Sequence, residues 1–286
     1  MKLEGFSHPR SIEEALAVLA GAPGEARPLA GGTAVVPMAD RRARVLVDLS
    51  RAGLDTVVLE GDTLRLGATA TLDAVARGKA VTDAGLDALV DAAGAAASRR
   101  LRRQITLGGN LVGLYPWSDP VPALVVLGAV VRVRSAAGQR DVPIDDFVAR
   151  HPSKVLQPGE LVTEIRVPRA AARTGSAFLK FARSAVDYAL CGAAARLRLD
   201  GDVVREARVA VGALRPLPMR LAAAEQALVG KAPDPATLVA AAAAGAAEAE
   251  VSADFRASVE YRREVCGVLV RRVLETAARR AAGRSA

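Results

Sequence analysis

Apolar positions recur at helical spacing behind Ser11, where Ile12, Ala15, Leu16 and Leu19 form a stripe and Ser11 and Glu14 have capping-box spacing. Gly21 and Gly24 stop that helix. Short extended runs follow at Arg27–Ala30 and Val45–Leu49, with Gly31-Gly32-Thr33 between them, so the first fifty or so residues read as a small βα unit. Thr56–Ala68 alternates about Gly61-Asp62, a hairpin signal. Leu72–Ala76 and Leu86–Ala97 have helical spacing, and residues 104–119 are glycine-rich with few helix formers. Leu124–Val133 is strongly apolar and β-branched and reads as extended, turning at Ala137-Gly138 towards Val142; Leu161–Val167 is a further strand closed by Pro168.

From Gly175 the pattern gives three antiparallel strands: Phe178–Phe181, Ala193–Leu199 and, after an Asp200-Gly201 turn, Val203–Val211. Beyond Pro216 and Pro218 it switches to helices over Leu221–Leu228, Pro235–Ala247 and Phe255–Ala281, the last with Phe255, Val259, Cys266, Leu269, Val270, Val273 and Leu274 on one stripe. The expected class is α+β with segregated sheets, not a doubly wound parallel sheet.

The 286 residues suggest about two domains, and a composition of 51% hydrophobic and 24% charged residues is that of a globular chain. No apolar run reaches the ~18 residues of a membrane span, and the start Met1–Phe6 has no secretion-signal core, so the expected location is cytoplasmic. Two cysteines exclude a disulfide framework and a four-cysteine metal or iron–sulfur site, and two histidines exclude a His-rich zinc site. His8 and His151 stand in no catalytic constellation, and Cys191 and Cys266 read as packing thiols. The net charge of +8 is spread along the chain except at Arg99–Arg103, and aromatic residues make up only 3%, so little is available for stacking bases and no nucleic-acid partner is expected.

Two glycine pairs carry the candidate chemistry: Leu29-Ala30-Gly31-Gly32-Thr33 and Thr106-Leu107-Gly108-Gly109-Asn110. Adjacent glycines let consecutive amides face one concavity that suits anionic oxygens, with Thr33, Thr106 and Asn110 as added donors; taken alone, each pair reads as an ordinary turn. Neither fits a dinucleotide fingerprint or a P-loop.

Taken with further stretches in order, these segments resemble the FAD-binding medium subunit of the molybdenum hydroxylases, the group that includes carbon monoxide dehydrogenase and bacterial xanthine dehydrogenase. The further stretches are Ser118–Leu124, Gly159–Ile165, Phe178–Arg183 with Asp187-Tyr188-Ala189, Val209–Ala213 and Ala257–Arg263. The resemblance implies a two-subdomain, PCMH-type FAD-binding fold over 1–172 (about 1–52 and 53–172). It places a C-terminal domain with a three-stranded antiparallel sheet and a helix bundle over 173–286. It puts Pro28, Leu29, Ala30, Gly31, Gly32, Thr33, Ala34 and Val35 on the first FAD loop, and Thr106, Gly108, Gly109 and Asn110 on the second. Asp119 falls towards the adenosine end, Val162 and Lys180 beside the flavin, and Tyr188 near the isoalloxazine. From local pattern alone, Asp119 would be a helix N-cap before Pro120, Lys180 a solvated strand lysine and Tyr188 a half-buried strand aromatic; Tyr115 and Trp117 receive no role.

The same resemblance implies electron transfer through bound FAD. Substrate is oxidised at a molybdenum cofactor on a large subunit, [2Fe–2S] clusters sit on a small subunit, and the assembly is a dimer of heterotrimers. No catalytic side chain and no metal ligand is expected on this chain. A stand-alone FAD-dependent reductase of the UDP-N-acetylmuramate dehydrogenase type and a flavin-free structural subunit are the alternatives.

Overall fold

A computed structural model describes residues 3–38 and 43–283; Met1 and Lys2 of the start read above lie outside the described residues. Three sheets follow one another along the chain. The first holds β1 (Gly5–Ser7), β2 (Ala26–Leu29) and β3 (Val45–Asp48) in the order β1-β3-β2, all parallel. Helix α1 (Ile12–Gly21) crosses between β1 and β2, and the short α2 (Val35–Met38) follows the first glycine pair. The capping box forms as read: Ser11 Oγ accepts from the Glu14 amide at 3.1 Å, and Glu14 reaches back to the Arg10 amide at 2.7 Å. Ala15, Leu16 and Leu19 close a small core over Val47 and Leu49.

The second sheet is antiparallel throughout, in the order β4-β5-β8-β6-β7, from β4 (Val57–Glu60), β5 (Thr63–Gly67), β6 (Val130–Ser135), β7 (Gly138–Pro143) and β8 (Leu161–Pro168). Its helices are α3 (Leu72–Arg77), α4 (Lys79–Asp83), α5 (Asp87–Ala95), α6 (Arg99–Arg102), α7 (Leu107–Gly113), α8 (Pro120–Leu127) and α9 (Ile144–Val148). Leu64, Leu66, Leu89, Leu124, Phe147 and Ile165 are among the largest fully buried side chains of its core. Two readings are corrected here. Residues 124–127 end a helix and are not strand. All eight residues of α8 are buried, so the helix has no polar face to betray its period, and Gly128 at φ +70° ends it before the strand. The glycine-rich stretch holds a helix too: Thr106 caps α7 by accepting from the Gly109 amide at 3.3 Å.

The third sheet runs β12-β11-β10-β9, antiparallel, from β9 (Thr174–Phe181), β10 (Cys191–Asp200), β11 (Val203–Gly212) and β12 (Met219–Arg220); the two-residue β12 is the one strand added to the three expected. Helices α10 (Ala222–Leu228), α11 (Pro235–Glu248) and α12 (Val259–Gly283) cover it. Gly175 lets α12 lie against β9, since a Cβ there would fall 2.2 Å from the Ala277 carbonyl oxygen. Phe255 is not on the α12 stripe: it sits in the preceding loop, 95% exposed. The third sheet is tied to the second layer by Arg280, which donates to Asp91 at 2.6 Å and to the Ser176 carbonyl at 2.7 Å, and by the Ala88 amide on Ser176 Oγ at 3.1 Å.

Candidate functional site

A cavity of 570 Å³ opens where the first two sheets and β9 meet, within the roughly 300–1,000 Å³ usual for small-molecule sites. It is lined by every site residue read from the sequence except Leu29. Leu29 ends β2 and packs beneath the loop, its Cδ1 3.8 Å from where a Gly32 Cβ would stand.

The two glycine segments meet here, and three of their four glycines have separate reasons to lack a side chain. A Cβ on Gly31 would fall 1.6 Å from the Gln104 carbonyl oxygen, so the first loop lies backbone to backbone against the approach to the second. Gly32 has φ +71°, which turns the chain into α2. Gly108 packs on Ala68, where a Cβ would come within 2.7 Å of both its Cβ and its carbonyl oxygen.

The segments are not two equal amide nests. In the second, Leu107 donates to the Ala70 carbonyl, Gly108 to Ala68, Gly109 to Thr106 Oγ1 and Asn110 to the Thr106 carbonyl, so its amides are spent on the fold. In the first, the amides of Gly31, Gly32, Thr33 and Ala34 donate to no described residue. The donors for an anion therefore belong to the first loop. The second supplies close approach and Asn110, whose side-chain oxygen is buried without a partner. Thr106→Ala is expected to cost about 1 kcal/mol through the lost cap, read as a lower melting temperature that Thr106→Ser restores.

Across the cavity Asp119 opens α8 with helical dihedrals, and its side chain makes no cap bond. Its Oδ2 instead accepts from Lys180 Nζ at 3.0 Å, while Oδ1 is buried without a partner. Lys180 also donates to the Ala95 carbonyl at 2.6 Å and the Asp187 carbonyl at 3.3 Å, and both side chains of the pair are nearly closed to solvent. The local readings of a cap and a solvated lysine are thus overturned by packing between β9 and α8. Burial pushes the Asp119 carboxyl up to about 6 against the pull of the Lys180 ammonium. A carboxyl raised above its ordinary 3.8 binds a proton more readily folded than unfolded. Its contribution to stability is therefore full below 3.8 and declines as pH rises to about 6. Wild-type stability minus that of Asp119→Asn, from urea melts, is expected to fall across that window.

Val162, on β8 beside an irregularity in the β6–β8 register, is buried against the cavity. Tyr188 is not on a strand: it lies in the loop after β9, 63% exposed, with its ring 4.5 Å from that of Trp117. Trp117 in turn stacks on Tyr115 at 5.5 Å, the planes 7° apart. Sequence reasoning missed Tyr115 and Trp117; the available signal was the chain's single tryptophan standing directly before Ser118-Asp119. His8 pairs with Asp48 at 3.2 Å and His151 with Ser153 at 2.9 Å, and neither histidine lines the cavity. Among the described residues, no group of three His, Cys, Asp or Glu side chains is placed to hold a metal, and no helix is long and apolar enough to cross a membrane.

Comparison with known proteins decides the family. Residues 2–170 match the FAD binding domain in molybdopterin dehydrogenase, and residues 176–277 match the CO dehydrogenase flavoprotein C-terminal domain. The chain belongs to the FAD-binding medium subunits of the molybdenum hydroxylases. It is 31% identical over 276 residues to the carbon monoxide dehydrogenase medium chain of Hydrogenophaga pseudoflava, covering 95% of this chain and 96% of that one. To the xanthine dehydrogenase FAD-binding subunit of Escherichia coli O157:H7 it is 30% identical, covering 98% and 97%. The structure of the Hydrogenophaga pseudoflava enzyme lacking the Mo-pyranopterin moiety of its cofactor superposes with a TM-score of 0.91 at 32% identity, over 98% of both chains. As a member of this family the chain is an oxidoreductase subunit, with the fold read from its sequence.

Proposed function

We propose that the cavity holds FAD and that the chain carries electrons from [2Fe–2S] clusters on a small partner subunit to a terminal acceptor. In this reading a large subunit oxidises substrate at a molybdenum cofactor, the three subunits assemble as a dimer of heterotrimers, and residues 1–172 and 173–286 are the flavin and C-terminal domains. The supporting observation is the polarity of the cavity wall. Gly31–Ala34, whose amides donate to no described residue, line one side, and two unpartnered buried acceptors, Asn110 Oδ1 and Asp119 Oδ1, belong to other lining residues. That set suits a ligand with an anionic middle and hydroxyl or N–H donors at its ends.

When bound, FAD supplies the redox chemistry itself. The chain's own residues bind and orient. Gly31, Gly32, Thr33 and Ala34 donate to the diphosphate, and Gly108 brings α7 close. Asp119, 3.0 Å from Lys180, takes a ligand hydroxyl or N–H at the same end of the cavity as that lysine. Val162, Lys180 and Tyr188 surround the flavin half, with Tyr115 and Trp117 closing the apolar wall. Lys180 keeps a buried positive charge there, stabilised by Asp119 and two carbonyls. No side chain is required to move a proton. Pull-down of the native assembly through this chain, with metal and cofactor analysis, tests the reading. Iron, molybdenum and FAD are expected to co-elute, and a chain that elutes alone without flavin would refute it.

A further inference from the structure

The stretch Ala257–Arg263, which the flavin reading leaves without a role, leads into α12, and none of its residues lines the cavity. Just before it, Asp254 gathers two guanidinium groups. Its carboxylate accepts from the Arg256 amide at 2.8 Å, from Arg256 Nη2 at 2.7 Å and from Arg262 Nη1 at 3.0 Å. Hydrogen bonds from Arg256, with the nearby charge of Arg262, hold that carboxyl down at about 2, so it stays ionised over the working range.

Arg256 Nε adds a third bond to the same carboxylate at 3.1 Å, and one terminal nitrogen of each guanidinium reaches backbone. Arg256 Nη1 donates to the Ala189 carbonyl at 3.2 Å, with the Tyr188 carbonyl at 3.5 Å. Arg262, only 3% exposed, gives Nη2 to the Leu190 carbonyl at 3.2 Å and to the Ala213 carbonyl. Ala213 has φ +66°, uncommon for a residue with a side chain, and its amide donates to the Pro116 carbonyl at 2.8 Å. The circuit closes at the cavity: Pro116 precedes Trp117, and Trp117 lies on Tyr188. Both halves of the aromatic contact are tethered to one three-residue cluster: Tyr188 through the Ala189 and Leu190 carbonyls, and Trp117 less directly, through Ala213 and its bond to Pro116.

We propose that Arg256 and Arg262, joined by Asp254, are positioning residues that hold Tyr188 against Trp117 on the cavity wall. Besides the cluster, the loop carrying Tyr188 is held by the ring contact, by Lys180 Nζ on the Asp187 carbonyl at 3.3 Å, by the Asp187 amide on the Ser184 carbonyl at 3.3 Å and by the Leu190 amide on the Phe181 carbonyl at 2.8 Å, and none of these hydrogen bonds is made by Tyr188 or Ala189. With the cluster, the loop carbonyls are held by charge-assisted bonds, the stronger kind. The proposal rests on the flavin reading only for what the aromatic pair covers.

Trp117 is the chain's only tryptophan, so its emission reports the contact directly. In the full-length chain without FAD, Arg256→Ala is expected to red-shift that emission and to roughly double its quenching by acrylamide. Tyr188→Ala should give the same change, and the double variant should add nothing further. Arg256→Lys, which keeps one donor to the loop, should lie between wild type and Arg256→Ala. Asp254→Asn, nearly isosteric, is the second probe and should move in the same direction. Arg256→Ala and Asp254→Asn with wild-type emission and quenching, or additive effects of Arg256→Ala and Tyr188→Ala, would overturn the proposal. Because this readout needs no flavin, the cluster stands or falls separately from FAD binding, which titration with FAD examines in the same samples.

Discussion

A Gly31→Ala chain is expected to purify folded and colourless. The added methyl would sit 1.6 Å from the Gln104 carbonyl oxygen and 2.6 Å from its carbon, and both are backbone atoms that no rotamer change can clear. One of the two segments must move. Overpacking of this kind costs about 1–3 kcal/mol or more. Where that cost falls on the loop's FAD-binding geometry, affinity should drop about fivefold to 150-fold, since about 1.4 kcal/mol is tenfold. The control is Gly94→Ala, inside α5, where a Cβ meets nothing within 4 Å; it should keep its flavin and gain slightly in stability. Absorbance in the visible flavin bands per unit protein, with far-ultraviolet circular dichroism for fold, separates the two. A yellow Gly31→Ala chain would show that the contact between the segments is not what shapes the site.

Lys180→Met should be the most destabilising of the single changes considered. It leaves the Asp119 carboxylate enclosed without its cation and strips a donor from the Ala95 and Asp187 carbonyls. Breaking a buried pair from one side costs about 3–5 kcal/mol, on the order of 10 °C in melting temperature for a chain of this size. Losing the ammonium also raises the Asp119 carboxyl further, so the deficit should shrink as pH is lowered and the carboxyl takes its proton. Replacing both partners together, as Lys180→Met with Asp119→Leu, should recover much of the loss while abolishing any contact of Asp119 with a ligand. A Lys180→Met chain that melts with wild type at neutral pH would mean that the pair is solvated and contributes nothing to the joint between β9 and α8.

What could be read from the sequence was what local chemistry decides. Gly61-Asp62 and Asp200-Gly201 specify tight turns by backbone conformation, and both hairpins form. Ser11 and Glu14 cap a helix because the partners are three residues apart. Periodicity failed where burial removes it: Pro120–Leu127 has no polar face, so a helix reads as a strand. Local reasoning also misjudged residues whose partners are remote. Asp119 looks like a cap beside Pro120 and Lys180 like a surface lysine until a fold brings them together across 61 residues. The glycine pairs were legible as special backbone. Their division of labour was not, because which amides are spent depends on Ala68 and Ala70 lying opposite. The order of weak motifs along the whole chain carried more of the functional reading than any single motif.

In the proposed site, one loop whose amides donate to no described residue and one close-packed helix start together hold a flavin joined to an adenylate through a diphosphate. The most direct measurement is to purify the native assembly, denature it and resolve what is released by chromatography against FAD, FMN and riboflavin. One equivalent of FAD per copy of this chain is the expected result. Release of FMN alone, or of no flavin from an assembly that still contains the chain, would contradict it.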